Sequence, residues 1–288
     1  MQLRSGAALV LVAAIVGPAA VSGQTASETP TPEVVVKRAM DVAGGYEAFS
    51  RLGIVLTEVT SEELAQAGGQ SKSEVKTFFK APGPVPGRIE IPQAQVISGD
   101  DGTQGWAVIG GTYDPRPSMT LIVKRLIRTN LFSLMLPFSL NWDEVNVTNV
   151  TPTMLGDVPV WRLSVTLTRT FFHSPQISTA WTIDINRQTY AVVQAQCPAT
   201  DLGRGIKADG MRFTWSKPQI VRGLVLPGEQ RVIGLSETGA EKTHTRVDHV
   251  RYELLGSTKS AALFNNPVPP ELRPTPPVGP SAVRQAKP

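Results

Sequence analysis

The chain has 288 residues, with 28 Lys and Arg against 24 Asp and Glu and a formal net charge of +4. With 41% apolar and 18% charged residues it can bury a sizeable core and is not a disordered chain. A single cysteine, Cys197, excludes a disulfide framework and a multi-cysteine zinc site, three histidines argue against a His-rich metal centre, and the small dispersed charge surplus does not point to nucleic acid.

The first 23 residues read as a secretory signal peptide. Arg4 supplies the positive start, Ala7 to Val16 the apolar run, and Ala19-Ala20-Val21-Ser22-Gly23 the small residues of a cleavage site. The run is about half the ~20 residues needed to span a bilayer. No cysteine stands near the cut, so a lipid anchor is not expected. These features predict an exported protein. Cys197 is then expected to be buried and inert. Residues 24–32 are polar and residues 268–288 proline-rich, and both read as extended, mobile ends around a domain at 33–267.

The domain opens with a helix from Glu33, where Val34, Val35, Ala39, Met40, Val42 and Ala43 fall near helical spacing. Thr31 and Pro32 suit its start and Gly44-Gly45 its end. Tyr46 to Leu52 gives one more turn, with Phe49 and Leu52 facing inward. Period two follows, the mark of half-buried strands. Candidates are Ile54–Thr60, Ser71–Lys80, Arg88–Ile97 and Trp106–Ile109, with a hairpin turn at Gly99-Asp100-Asp101-Gly102. From Ser118 to Leu136 the period turns helical: Met119, Ile122, Leu126, Leu131, Leu134 and Met135 form a stripe, Lys124, Arg125 and Arg128 the other side, and Pro137 the stop.

Strands then resume. Trp161, Leu163, Val165 and Leu167 alternate with Arg162, Ser164, Thr166 and Thr168, the clearest alternation in the chain. Thr179–Ile185 aligns Trp181, Ile183 and Ile185 on one face. Tyr190–Ala195, Met211–Trp215, Leu224–Pro227, Gln230–Leu235 and Arg246–Leu254 complete about ten strands. Short connections, two helices and no βαβ alternation predict an α+β protein of mainly antiparallel sheet, either a sandwich or one strongly curved sheet.

Several short motifs in this order resemble the LolA-like superfamily of outer-membrane lipoprotein-sorting proteins. They are the helix ending in Ala43-Gly44-Gly45 before Tyr46-Glu47-Ala48-Phe49, the strand running into Lys80-Ala81-Pro82, and Asp100-Asp101-Gly102-Thr103 leading to Gly105-Trp106-Ala107-Val108. Gly223-Leu224-Val225-Leu226-Pro227 and the closing Leu263-Phe264-Asn265-Asn266-Pro267 follow. The resemblance spans roughly residues 33–267. It implies a half-open β-barrel with helices covering an apolar concave face, and a carrier of acyl chains across the periplasm. The family resemblance thus implies that the exported protein stays in the periplasm, with secretion as the second choice. It transfers no gating residue to this chain. The loop Ala81 to Gly87 and the tail after Pro267 depart from the pattern and leave the cargo open.

An acyl chain in water gains ~0.8 kcal/mol per CH₂ when hidden. On this reading Trp161, Leu163, Val165, Leu167, Trp181, Ile183, Met211, Phe213 and Trp215 line the concave face, and Leu126 looks at them from the covering helix. Met119 and Met135 would adapt to variable chains, and the basic helix side would meet head groups. The competing reading is that the same residues are packed core and the basic ones a solvated face. The implied partners are a hydrophobic ligand, lipid or acylated protein, and membrane-protein donor and acceptor, with no nucleic acid, no cofactor and a monomeric carrier. The alternative is a non-enzymatic envelope scaffold binding protein through a sheet edge or the proline-rich tail. An enzyme is not expected. Asp248 and His249 point to opposite faces of a strand, as do His244 and His249, and neither His-Glu-x-x-His nor Gly-x-Ser-x-Gly occurs. His173 beside Phe171-Phe172 reads as a structural histidine.

Overall fold

The computed structural model describes residues 29–64, 70–102, 104–172, 179–198, 208–256, 261–269 and 271. The signal segment, residues 65–69, His173 and most of the proline-rich tail lie outside them. Helix α1 (Pro32–Val42) and the short α2 (Tyr46–Ser50) open the chain, with Phe49 and Leu52 buried. Strands β1 (Ile54–Leu64), β2 (Gln70–Lys80), β3 (Gly87–Ile91), β4 (Val96–Asp100), β5 (Gly105–Ile109) and β6 (Thr112–Tyr113) follow as a meander. Helix α3 (Pro117–Leu134) then leads to β7 (Val145–Leu155), β8 (Val158–Leu167) and a four-residue α4 (Arg169–Phe172). The second meander continues through β9 (Thr179–Asn186), β10 (Val192–Pro198), β11 (Gly210–Val221), β12 (Leu224–Leu235) and β13 (Glu241–Leu254).

Among the described residues all thirteen strands form one antiparallel sheet, in the order β6-β5-β4-β3-β2-β1-β13-β12-β11-β10-β9-β8-β7. Strand β1 pairs with β13 from Val55↔Leu254 to Leu64↔Thr245, joining the two meanders. The outer strands β6 and β7 do not pair with each other, so the barrel is incomplete. The sheet bends around α3, which packs on β3, β4 and β5 and also on β12, while its Phe132 ring meets Trp181 of β9 at 5.0 Å. Helix α1 lies against β7.

The strand at Arg88–Ile97 is in fact two. Pro92 cannot donate to a ladder, and Pro92–Ala94 forms a 3₁₀ turn before Gln95 at φ 51°. Conversely β12 runs unbroken through Pro227 and Gly228. Strand β7 carries Val145, Val147 and Val150 among exposed polar positions, so its one-sided apolar pattern was too sparse to read as a strand. Two-residue turns set the hairpins. Arg222 and Gly223 both take positive φ between the paired Val221 and Leu224, as the type I′ geometry requires.

Of the apolar stripe expected on α3, Leu131, Leu134 and Met135 are buried and Met119 and Leu126 partly so, but Ile122 is 52% exposed, and the basic side is not solvated either. Lys124 and Arg128, one helical turn apart, are 8% and 4% exposed. Both face Asp100 at the end of β4: Arg128 Nη1 donates to Oδ2 at 2.9 Å, and Lys124 Nζ is 3.7 Å from Oδ1. The reason is geometric, because i and i+4 share one helix face and that face looks at the β4–β5 hairpin rather than at water. On the convex side, Phe264 joins Ile54, Leu56 and Phe78 in a second small apolar cluster. Val268, at the start of the expected tail, is 4% exposed.

Candidate functional site

The inward residues of β8 and β9 are enclosed. Leu163, Val165, Leu167, Trp181 and Ile183 are at most 2% exposed, Trp161 is 7% exposed, and Met211 and Phe213 join the same core. Trp181 stacks on Phe213 at 5.3 Å and meets Phe132 edge-on, and Phe132 in turn meets Phe171. None of Trp161, Leu163, Val165, Leu167, Trp181, Ile183 and Met211 lines either of the cavities described next. Leu126 is half-buried against the core and also lines neither. Two residues of the anticipated lining, Phe213 and Trp215, do face free space.

Trp215 belongs to the larger space, an apolar groove of about 440 Å³. Its walls are Ala39, Val42 and Ala43 of α1 and its end, Leu136-Pro137 after α3, Thr189, Ala191 and Val192 leading into β10, and Trp215, Ser216, Pro218, Val225 and Pro227 of the β11–β12 hairpin. That volume falls in the range of small-molecule sites, ~300–1,000 Å³. The end of α1 docks on the hairpin by backbone contact. Val225 N–H donates to Ala43 C=O at 2.9 Å. Gly44 sits at φ +107°, where an added Cβ would lie 2.5 Å from Gly223 O. Tyr252 steadies the same wall: its hydroxyl donates to Pro227 C=O at 3.0 Å, and burial pushes that hydroxyl's pKa far above the usual phenol range. At the rim Lys217 and Ser216 donate to Glu229, which holds its carboxyl below the usual carboxylate range.

Phe213 faces a smaller space of about 30 Å³, whose lining joins the apolar Val59, Val75 and Leu134 to the polar Ser61, Thr77, Thr129, Asn130, Ser133, Gln230, Arg246 and Asp248. Registry explains it. Trp215 pairs with Gln230, Gln230 with Asp248, Asp248 with Ser61, and Ser61 with Ser73. Directly opposed residues of antiparallel strands share a face. One polar rung therefore crosses the sheet from β11 to β2. Gln230, Asp248 and Ser61 are at most 4% exposed. Ser61 Oγ donates to Asp248 Oδ1 at 2.6 Å, and Arg246, two residues along on the same face, donates from Nη2 to Asp248 Oδ2 at 2.9 Å. Gln230 Oε1 accepts from Ser133 of α3 at 3.5 Å, while Gln230 Nε2, Trp215 Nε1 and Asn130 Oδ1 are buried without a partner.

This concave sheet with a helix laid across it has a counterpart among solved structures. A LolA superfamily protein from Nitrosomonas europaea superposes with a TM-score of 0.54 over 83% of this chain and 99% of that one, at 10% identity. The chain has a LolA-like fold. A DUF1329 family protein from Desulfovibrio piger aligns at 0.45 over 80% and 97%, with 12% identity. An outer-membrane lipoprotein-sorting domain from Vibrio parahaemolyticus aligns at 0.42 over 77% and 94%, with 8% identity. No protein-family model matches the sequence, and no curated protein matches it. The LolA-like half-barrel thus carries two adjoining spaces here, one apolar and open at the rim, one polar and deep.

The rung was readable from Arg246–Leu254. Val250, Tyr252 and Leu254 mark one face, and the same parity carried backward places Asp248 and Arg246 on it. Of the histidines, His249 is on the opposite face from Asp248 and lies 3.5 Å from Glu229. No cluster of three or more His, Cys, Asp or Glu stands together among the described residues.

Proposed function

We propose that this protein is an exported carrier that shelters an apolar ligand, the acyl chain of a lipid or of a lipidated protein, in the groove between α1 and the β10–β12 wall. The apolar groove of about 440 Å³ is the observation that carries this reading. Hiding ~0.8 kcal/mol of apolar surface per CH₂ is enough to hold a chain of ordinary length against release. The signal-like first 23 residues support a periplasmic setting. Trp215 is the ligand contact in this reading. Trp161, Leu163, Val165, Leu167, Trp181, Ile183, Met211 and Phe213 form the rigid wall behind it, and Leu126 seats α3 on that wall. The carrier acts as a monomer, without cofactor or catalysis, and exchanges cargo with membrane proteins on either side of the envelope.

Native mass spectrometry of protein isolated from a periplasmic extract tests this directly, with a bound lipid mass as the expected result. Val42 and Val225 are exposed groove residues, 51% and 39% accessible, so charging them spares the core. Val42→Glu and Val225→Glu are expected to weaken binding of a dodecyl-chain probe by about tenfold or more, since a buried unpaired charge costs several kcal/mol. Full binding in both variants would refute the groove as the site.

A further inference from the structure

The groove's inner wall does not end in apolar side chains. It ends at Trp215, whose direct cross-strand partner Gln230 belongs to the polar cavity. Both side chains hold an N–H that is buried and unpartnered, Nε1 of Trp215 and Nε2 of Gln230. Gln230 is 2% exposed, so water does not reach it freely from the surface. Orphaned tryptophan N–H groups occur in the packed core as well, at Trp161 and Trp181. Those two line neither of the cavities described, whereas Trp215 does; Trp106 Nε1 is orphaned too and borders a separate space beside Arg88 and Val268. Opposed side chains on antiparallel strands have Cβ atoms about 5 Å apart, and one carbonyl oxygen offers two lone pairs.

We infer that the cargo is an amphiphile with a neutral carbonyl, an ester or an amide, whose oxygen is received by Trp215 Nε1 and Gln230 Nε2 while its apolar chain lies in the groove. The inference rests on the groove reading above and adds the polar end of the ligand. Neutrality follows from the charges behind the rung. Arg246 is the cation lining the polar cavity, and its charge is already paired with Asp248: Nη2 donates at 2.9 Å, and Nε lies 2.8 Å from the carboxylate without making a hydrogen bond. A carboxylate or phosphate would face the Asp248 oxygens with no cation to spare in that cavity. Size agrees: about 30 Å³ admits little more than a water or a single polar group, so the chain stays outside.

The test uses the full-length mature protein stripped of lipid, and reads displacement of a naphthalene dye by methyl dodecanoate, by tridecane and by dodecanoate at pH 8. The quantity of interest is the ester-to-hydrocarbon affinity ratio, which cancels the chain's own contribution. Trp215→Phe and Gln230→Leu each remove one donor and keep an apolar filling. Each is expected to lower that ratio by about three- to tenfold, the worth of one neutral hydrogen bond. Dodecanoate is expected to bind at least about tenfold more weakly than its methyl ester, because its charge enters unpaired. Ester and hydrocarbon that both bind, with a ratio unchanged in both variants, overturn the carbonyl assignment and leave the groove standing. A carboxylate as tight as the ester overturns the requirement for a neutral head. If neither ester nor hydrocarbon binds, the groove reading falls together with this one. Thermal melts of the variants within a few degrees of wild type confirm that the ratios report on binding.

Discussion

Two stretches of the same concave surface behave in opposite ways. Over β8 and β9 the inward positions are Trp, Leu, Val and Ile, and α3 reaches them with Phe132, leaving no space. Over β11, β12, β13 and β1 the inward positions at one level are Trp215, Gln230, Asp248 and Ser61, and two cavities adjoin them. Strand alternation is equally regular in both. Alternation tells which face a residue occupies, and nothing about whether an opposing element fills the space above it. The apolar face with the most regular pattern turned out to be the filled one. The usable space lies where the pattern is broken by polar residues and by the prolines of the β11–β12 hairpin.

Mutations sharpen this contrast. The largest effect is expected at the filled end. Trp181→Ala removes a ring held between Phe132 and Phe213 and should cost about 3–5 kcal/mol, read as a fall in the urea midpoint. Trp215→Ala in the half-buried groove should cost well under half of that, and equal losses would show that the two regions are packed alike. Next is Asp100→Ala, which removes the buried carboxylate facing Lys124 and Arg128 and should cost about 3 kcal/mol. Asp100→Asn paired with Arg128→Met should recover part of that loss, measured by the same unfolding curves.

Gly44→Ala tests the hinge between α1 and the groove wall. A side chain at φ +107° that also meets Gly223 O at 2.5 Å should cost about 2 kcal/mol and shift α1 from the hairpin. Reduced dodecyl binding beyond the loss of stability is the expected signature. The smallest effect is at the rim. The Lys217 and Ser216 hydrogen bonds lower the Glu229 carboxyl below its unfolded value, so its contribution is complete above the unfolded pKa and disappears as pH falls through the folded one. Glu229→Gln should therefore lose about 0.2–1 kcal/mol at pH 7, and the difference from wild type should shrink as the pH falls through the acid range, as seen in melting temperatures.

Much of the architecture could be read from residue order alone, and the exceptions have physical reasons. Helix α3, the β8 alternation and the Gly44-Gly45 stop are local signals, and they appear as expected. Strand β7 was hidden because an outer strand faces water over much of its length and carries few apolar residues. The basic side of α3 misled because charge usually marks a solvated face, while the partner that buries it, Asp100, comes from a hairpin more than twenty residues away. The site itself was only partly legible. Trp215 stood in the expected lining, but the groove owes its other wall to α1, and which helix face meets which hairpin is decided by tertiary packing.

The pairing of β1 with β13 has a consequence for how the molecule is made. Its partners come from opposite ends of the domain, Val55 with Leu254 and Leu64 with Thr245. Neither meander can complete its hydrogen bonding until the final strand has emerged, because this non-local closure must follow everything between. Until then two long strand edges stand open to neighbours. During biogenesis the chain therefore passes through a vulnerable interval that ends only when its last strand zips into place.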